Sequence, residues 1–301
     1  MNLLVVGSVA LDSVRTPRAE VIDELGGSAT YASLAASSLA DTGIVAVVGS
    51  DFPGSSRDLL YNAAVDLEGL ESVEGETFRW SGVYGEDPND RSTLDTQLNV
   101  FADFEPKLPA RCRDAPYLFL GNIHPALQTR VLDQVNAPKL VACDTMNFWI
   151  EGEREALDRV LPRIDLLLVN DEEVKLLSGE TNLLIGARAI LEVGPKAVVV
   201  KKGEHGAMLV TSEGLFVAPA LPLASVIDPT GAGDSFAGGF MGRLTREKGF
   251  DEEALRRAIV WGTVTASFCV EHFGVRGVVE MSDEDHAARM AAYRETTRVA
   301  Y

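Results

Sequence analysis

The sequence predicts an α/β fold with a doubly wound, mostly parallel sheet, and three observations lead to that prediction. Short runs rich in β-branched residues are apolar at every position, as expected of strands covered by helices on both faces. These runs alternate with helical stretches along most of the chain, which is typical of βαβ units. One segment around residue 80 instead alternates polar and apolar residues and predicts a small sheet with one solvated face.

The first apolar run, residues 3–7, begins the sheet. It has no basic leader and Asp12 interrupts it early, so we interpret it as a strand and not as a secretion signal. The predicted strands are residues 3–7, 44–48, 117–120, 140–143, 166–169 and 197–201. The predicted helices are residues 28–39, 55–65, 126–135, 154–161 and 183–193. A glycine turn at 202–206 joins strands 198–201 and 207–211, and the last third of the chain is mainly helical.

The exceptional segment consists of residues 76–84 and 92–101, joined by a polar turn at 85–90. In both arms polar residues alternate with apolar or aromatic ones, which predicts two antiparallel strands. A hairpin of this kind inserted into an α/β domain is either a lid over a site or a dimerisation surface. An ordinary edge hairpin is the remaining alternative.

Composition and charge restrict the function. Of the 301 residues, 46% are hydrophobic and 24% charged, as in a globular chain that can bury a large core. Asp and Glu number 45 against 27 Lys and Arg, which gives a net charge of −18. This acid excess argues against a nucleic-acid partner and against docking on an anionic membrane. An anionic ligand must then be held locally, by backbone amides, a metal or a few selected cations.

The cysteines bear on the cellular compartment. Cys112, Cys143 and Cys269 fit neither a zinc site nor a disulfide framework. Each lies in an apolar context, so we expect buried free thiols in a reducing cytoplasm. No apolar run approaches the roughly 20 residues that span a bilayer. The sequence therefore predicts a cytoplasmic protein.

The most informative stretch is Asp-Pro-Thr-Gly-Ala-Gly-Asp at residues 228–234, followed by a small, apolar, helix-compatible segment. The Gly231-Ala232-Gly233 turn opens that helix with unpaired N–H groups and the positive end of the helix dipole, which suits a phosphate. Asp234 stands at the opening, where its carboxylate could take the proton of an attacking hydroxyl. Phosphoryl transfer needs these parts. The alternative is a plain glycine turn with Asp234 as a helix cap.

Three further motifs accompany that turn. They are Gly26-Gly27 before a predicted helix, Asn-Asp-Glu-Glu at 170–173 and Lys-Lys-Gly-Glu-His-Gly at 201–206. Together the four motifs resemble the ribokinase-like (PfkB) carbohydrate kinases. The resemblance implies phosphoryl transfer from ATP to a hydroxyl of a sugar, nucleoside or related compound. It also implies one three-layer α/β/α domain over residues 1–301, with a small β lid from about residues 12–25 and 76–104.

By position, the resemblance makes Asp234 the catalytic base and the amides of the 231–233 turn the anion hole. Asn170 and Glu173 follow the predicted strand 166–169, and the resemblance implies that they organise Mg²⁺ and nucleotide phosphates through water. Local structure alone allows another role, with Asn170 capping the next helix and Glu173 exposed in its first turn.

Other family positions concern the nucleotide and a monovalent cation. Lys201, Gly203 and Gly206 should border the nucleotide, the glycines because they permit close backbone approach. An ordinary hairpin accounts equally for Gly206. Asp228 and Thr230 correspond to positions near a K⁺-type site that shapes the anion hole, with carbonyls around residues 266–274 completing it, and Thr230 also adjoins the nucleotide.

On the substrate side the resemblance points to Asp12, whose carboxylate could accept two hydroxyl hydrogens from one polyol, and to Gly26 and Gly27. Two departures from the ribokinase pattern argue against ribose itself, because Ala10 and Tyr31 stand where many members carry Asn. Further polar groups at predicted strand ends, as pocket or turn residues, are Asn122, Asp144 and Asn147.

The leading interpretation is an ATP-dependent kinase acting on a sugar or sugar-like small molecule. Within the family, a cyclitol kinase and a nucleoside kinase stay open, the latter with Tyr31, Phe78 or Trp80 stacking a base. A non-catalytic module would require loss of the base or the anion hole, and neither is lost. The chain lacks the Gly-x-Gly-x-x-Gly turn of dinucleotide oxidoreductases after its first strand and the Gly-x-x-x-x-Gly-Lys string of P-loop enzymes. A homodimer through the small sheet stays open.

Overall fold

The alternation of strands and helices is confirmed in the computed structural model, which describes residues 1–88 and 90–299. The strands are β1 (Leu3–Val6), β2 (Ala10–Arg15), β3 (Glu20–Gly26), β4 (Thr42–Gly49), β5 (Asp66–Val73), β6 (Arg79–Tyr84), β7 (Arg91–Gln97), β8 (Tyr117–Leu120), β9 (Leu140–Asp144), β10 (Leu166–Asn170), β11 (Ala197–Lys201), β12 (Ala207–Thr211) and β13 (Leu215–Ala218). The helices are α1 (Ser28–Ser37), α2 (Gly54–Asn62), α3 (Ala110–Arg113), α4 (Pro125–Leu132), α5 (Asn147–Gly152), α6 (Arg154–Val160), α7 (Asp171–Ser178), α8 (Leu183–Leu191), α9 (Ala232–Glu247), α10 (Glu252–Cys269), α11 (Arg276–Val279) and α12 (Asp283–Thr297).

The large sheet has nine strands in the order β13-β12-β11-β10-β9-β8-β1-β4-β5. Pairing is parallel from β11 to β5, and β12 and β13 add an antiparallel edge. Side chains of β1 alternate between two cores, with Leu3 and Val5 packed among residues of α1, α9 and α10. Leu4 and Val6 instead join residues of α4, α6 and α8. Burial on both faces is why these strands are apolar at every position.

The small sheet has four strands in the order β3-β2-β6-β7. The chain enters it twice, from β1 into β2 and from β5 to β6. Both connections leave the carboxyl ends of large-sheet strands, which is the edge where ligands of doubly wound sheets bind. The small sheet is thereby tethered beside that edge.

The predicted strand 92–101 is too long. Pairing in β7 ends at Gln97, and residues 99–103 form a 3₁₀ turn. Asn99 has a φ of 47° and its Nδ2 donates to the Thr77 carbonyl at 2.9 Å, so the backbone leaves the extended region there. The predicted turn 85–90 includes residue 89, which lies outside the described residues.

Other local predictions are confirmed. Residues 197–201 and 207–211 form an antiparallel hairpin, with Gly203–His205 as a 3₁₀ turn. Cys112, Cys143 and Cys269 are buried free thiols. Across residues 1–88 and 90–299, every helix is too short or too polar to cross a bilayer.

Candidate active site

Asp228 holds the turn before α9 in shape. It is 1% exposed, and its two carboxylate oxygens accept hydrogen bonds from the Thr230 amide at 2.9 Å and the Gly274 amide at 3.3 Å. Gly231 has a φ of 74°, and a Cβ at this position would fall 2.4 Å from the ring of Tyr31. Both its backbone conformation and its packing therefore require glycine.

The start of α9 offers two of the three predicted amide donors. The Ala232 amide donates to the Pro229 carbonyl at 3.2 Å and so closes the turn itself. For the Gly231 and Gly233 amides, the described residues provide no backbone acceptor outside the helix. The prediction that all three amides face an anion is corrected on this point. The two remaining donors and the helix dipole still suit a phosphate.

Asp234 lies half-buried in the first turn of α9. Burial and the nearby charge of Asp144 raise the pKa of Asp234 to about 7, and the charge of Lys201 offsets part of that rise. A carboxyl group with a pKa near neutrality can accept a proton from a hydroxyl and release it again. Its position therefore suits a general base.

A buried ion pair brings a cation to the same place. Lys201 ends β11 and Asp144 ends β9, and Nζ of Lys201 lies 2.7 Å from Oδ2 of Asp144 across the intervening strand β10. A Cβ on Gly233 would fall 3.3 Å from that Nζ, so the ammonium adjoins the amide turn. Burial opposes this charge, but Asp144 and Glu173 outweigh it and raise the pKa of Lys201 to about 12. Lys201 is therefore a permanent cation, and Asp144 belongs to the site.

Asn170 and Glu173 form a capping box at the start of α7. The Glu173 amide donates to Oδ1 of Asn170 at 2.8 Å, and the Asn170 amide donates to Oε2 of Glu173 at 2.7 Å. The capping alternative is thus correct for Asn170, but Glu173 is buried at 6% exposure, not exposed. Burial is the largest cause that raises the pKa of Glu173 to about 7, with Asp144 adding to it and Lys201 opposing it.

The amino-terminal half contributes Asp12 from β2. Its carboxylate lies over Gly26, where a Cβ would fall 1.9 Å from Oδ2, whereas a Cβ on Gly27, which has a φ of 94°, would fall 2.5 Å from the Ser8 carbonyl oxygen. Burial and the charges of Asp228 and Asp234 raise the pKa of Asp12 to about 7. Glu24, which pairs with Asp12, lies against Gly274, where a Cβ would fall 3.5 Å from the Cβ of Glu24. Because the Gly274 amide donates to Asp228, the two ends of the chain meet here. Gly26 therefore makes room for the carboxylate, and Gly27 is required by its backbone conformation and its contact with Ser8.

Tyr31 does not line an open pocket. Its side chain is 1% exposed and its ring lies beneath Gly231, so it supports the turn from the core. The expectation that Tyr31 contacts substrate is corrected, because neither ring face is open to a ligand. Asn122 is half-buried after β8, and its Oδ1 accepts a hydrogen bond from Nε1 of Trp149 at 2.9 Å. Its side-chain amide therefore lies at the same sheet edge, and its oxygen already accepts a hydrogen bond from Trp149.

The two glycines of the β11–β12 hairpin are required for different structural reasons. Gly203 has a φ of 52° and begins the turn directly after Lys202. Gly206 has a φ of 86°, and a Cβ there would fall 2.0 Å from the Ala218 carbonyl of β13. Packing in the hairpin accounts for the glycine at position 206. Gly203 follows Lys201 by two residues and is the hairpin glycine nearer to that site residue in the sequence.

The small sheet turns one face toward these groups. Asp12 pairs with Trp80, and side chains two residues apart share a face, so Asp12, Trp80 and Tyr84 lie on one side. The Thr230 hydroxyl donates to the Tyr84 oxygen at 3.1 Å, which joins the small sheet to the 228–234 turn. Phe78 instead stacks on Phe101 with ring centroids 5.4 Å apart. Trp80 is thus the small-sheet aromatic beside Asp12. The sequence named it as one of three candidates.

The pfkB family carbohydrate kinase model matches residues 3–281, from β1 to just beyond α11. The chain belongs to the pfkB family. It is therefore a phosphotransferase, as the resemblance implied from the 228–234 string. Kinases of the pfkB family use ATP and Mg²⁺, and one neighbour described below was solved with both.

Among similar proteins, a cytidine kinase of Thermococcus kodakarensis is 28% identical over 258 residues, which are 84% of this chain and 91% of that protein. A nucleoside kinase of Methanocaldococcus jannaschii superposes with a TM-score of 0.79 at 24% identity, over 97% of this chain and 99% of that chain. A candidate ribokinase II of E. coli, in complex with ATP and Mg²⁺, superposes with a TM-score of 0.80 at 19% identity, over 98% and 99% of the chains. The ribokinase-like fold is confirmed.

Proposed function

We propose that this pfkB-family protein transfers the γ-phosphoryl group of ATP to a hydroxyl of a sugar or sugar-like small molecule, with Asp234 as general base. The observation that carries the proposal is the convergence of Asp12, Asp234 and Lys201 at the opening of α9. Asp234, the proposed base, interacts through its charge with Asp12, the hydroxyl-binding carboxylate, and with Lys201, the phosphate-binding cation.

In the proposed step, the acceptor oxygen attacks the γ-phosphorus while its proton passes to Asp234. The bond between the γ-phosphorus and the β–γ bridging oxygen breaks, and its electron pair leaves with ADP. Charge on the transferred group is met by the Lys201 ammonium and by the Gly231 and Gly233 amides, which are fixed before the reaction. Because these donors need no rearrangement, their stabilisation acts directly on the transition state.

Glu173 fits a role toward Mg²⁺. Its capping bond uses Oε2, which leaves Oε1 of this buried carboxylate for a ligand. Mg²⁺ typically takes one or two carboxylates together with water and phosphate oxygens. We propose that Glu173 holds hydrated Mg²⁺, with Asn170 fixing the carboxyl group. The bound ion would neutralise phosphate charge.

Two further assignments are part of the proposal. Gly203, at the end of β11 with Lys201, would border the nucleotide. Asp228 and Thr230 would shape a K⁺-type site together with carbonyls near residue 270, and two contacts support this. The Ile227 amide donates to the Val270 carbonyl at 2.7 Å, and Asp228 accepts from Gly274.

We also propose that both sheets act as one kinase domain over residues 1–301, with the small sheet as its lid. The contact between Tyr84 and Thr230 supports this, because it links the small sheet to the catalytic turn. The opposite face of the small sheet then stays available for a homodimer.

A nucleoside is the favoured finer acceptor. Trp80 pairs with Asp12 in register, and its Nε1 donates to the Thr93 hydroxyl at 3.3 Å, which holds the indole on the inner face. A ring placed there could stack on a base while Asp12 binds the ribose hydroxyls, and such stacking contributes about 1–3 kcal/mol. The cytidine kinase relative points the same way.

ADP release under Mg-ATP tests the proposal with ribose, fructose, adenosine, inosine, cytidine and myo-inositol as acceptors. We expect acceptor-dependent turnover with at least one of them, and none from Asp234→Asn. Trp80→Ala should raise the KM for a nucleoside about tenfold and leave the KM for a free sugar unchanged. Turnover with none of these acceptors would contradict the proposed function.

A further inference from the structure

Arg91 is a site-facing cation that the family motifs do not include. It begins β7 and pairs with Tyr84 of β6, so the two side chains share the inner face of the small sheet. Tyr84 is fixed on Thr230 of the 228–234 turn. The register of the sheet therefore brings Arg91 to the opening of α9, although it is 143 positions away from Asp234 in the sequence.

The charge of Arg91 acts on both functional carboxyls. Burial dominates the raised pKa values of Asp234 and Glu173, and among the opposing influences the positive charge of Arg91 lowers both. The pairing of Arg91 with Tyr84, which contacts Thr230, places the guanidinium on the face of the small sheet that is turned toward the opening of α9, where the γ-phosphate would lie. The guanidinium is exposed and lies 5.7 Å from the ring centroid of Trp80, so it can reach a ligand.

We propose that Arg91 is a further catalytic residue, whose guanidinium binds the γ-phosphoryl group during its transfer. This inference rests on the proposed kinase function. As the bond from the acceptor oxygen to the γ-phosphorus forms and the bond to the bridging oxygen of ADP breaks, negative charge spreads over three equatorial oxygens. Lys201 meets that charge from the large sheet and Arg91 from the lid. A planar guanidinium can contact two of these oxygens at once.

The experiment compares Arg91→Gln, Arg91→Lys and Arg91→Ala with the control Arg15→Gln. Arg15 lies in the same sheet, is 57% exposed and pairs with Glu20, but strand alternation places it on the opposite face from Asp12. We expect Arg91→Gln to lower kcat by about 10²–10³-fold, with the acceptor KM within about threefold of wild type. Arg91→Lys should be intermediate, and Arg15→Gln should match wild type.

Chemical rescue separates catalysis from folding. Guanidinium chloride at millimolar concentration should restore part of the kcat of Arg91→Ala and none of that of Asp234→Asn. If wild type is active and Arg91→Gln keeps a kcat similar to that of Arg15→Gln, the role of Arg91 is overturned while the kinase function stands. A large loss without rescue would overturn the catalytic role in favour of a structural one. If wild type phosphorylates no acceptor, the proposed function and this inference fall together.

Discussion

Three carboxyl groups at the site, those of Asp12, Glu173 and Asp234, have pKa values raised to about 7, with burial as the largest cause in each. The folded protein therefore binds more protons than the unfolded chain between about pH 4 and 7. Stability from these groups is fully present at acid pH and is lost as the pH rises through 7. The same burial that suits them to proton transfer and ligand binding thus destabilises the fold at neutral pH.

Asp234→Asn should abolish turnover and at the same time stabilise the protein. The amide keeps the shape of the carboxyl but cannot take a proton, so we expect the rate to fall by about 10²–10⁴-fold. At pH 8 the substitution removes a desolvated charge and should raise the free energy of unfolding by on the order of 2 kcal/mol. Turnover assays and urea unfolding measure the two effects.

The gain in stability expected for Asp234→Asn can be checked at a second pH and with a control variant. At pH 4 the wild-type carboxyl is protonated, so the gain from Asp234→Asn should vanish there. Asp158→Asn, at an exposed position on α6, should show no comparable gain at pH 8. Near-normal turnover of Asp234→Asn would make Asp234 a helix cap only.

The pH dependence of kcat/KM should show an acid limb with an apparent pKa near 7. Asp234 works as a base only when ionised, so the rate should rise about tenfold per pH unit below that value and level off above it. Because Asp12 and Glu173 titrate in the same range, the apparent pKa belongs to the group of carboxyls. A rate independent of pH between 5 and 8 would exclude Asp234 as the base.

At the scale of elements, two glycines at element ends differ in whether a tertiary contact requires glycine there. Gly26 ends β3 where a Cβ would fall 1.9 Å from Oδ2 of Asp12, and Gly54 begins α2 where a Cβ would meet nothing within 4 Å. Gly26→Ala must displace the Asp12 carboxylate and should raise the acceptor KM about 10–100-fold. Gly54→Ala should leave kinetics and stability unchanged. Equal kinetics in the two variants would remove Asp12 from the acceptor site.

The segment between α10 and α11 should make activity depend on the monovalent cation. Asp228 links the catalytic turn to Gly274, so a cation held among nearby carbonyls would set the position of the turn. Replacing Na⁺ by K⁺ at constant ionic strength should raise kcat. Equal rates in the two salts would remove the cation site from the proposal.

At the scale of the whole molecule, the site joins two halves of the chain. Asp12 comes from the amino-terminal half, whereas Asn170, Lys201 and the 228–234 turn come from the carboxyl-terminal half. Asp12→Ala should therefore weaken acceptor binding by at least about a hundredfold, since two charge-assisted hydrogen bonds are lost, and leave ATP binding intact. Calorimetry with the nucleotide and then with the acceptor measures both. Unchanged acceptor affinity would place the acceptor pocket elsewhere.

Much of the fold could be predicted because its signals are local. Continuous apolar runs identified the central strands to within one or two residues, since burial on both faces leaves no place for polar residues. The strand predicted over 92–101 was wrong at residues 99–101, where a hydrogen bond from Asn99 to Thr77 decides the conformation. The candidate site was predicted from the 228–234 motif. The sequence did not predict that the Ala232 amide donates to the Pro229 carbonyl or that Tyr31 is buried.

The sequence by itself determined the alternating sheet and the glycine turn that opens α9, and it indicated Asp12, Glu173 and Asp234 as candidate site residues. Only the tertiary structure decided that Lys201 pairs with Asp144, 57 residues away, and that Tyr84 meets Thr230, 146 residues away. Backbone propensity and hydrophobic periodicity depend on a few neighbouring residues, so they can be recognised in the local sequence. Contacts across the sheet edge depend on strand order and register, which are properties of the whole packed chain. For that reason the pairing of Arg91 with Tyr84 became visible only once the small sheet was in place.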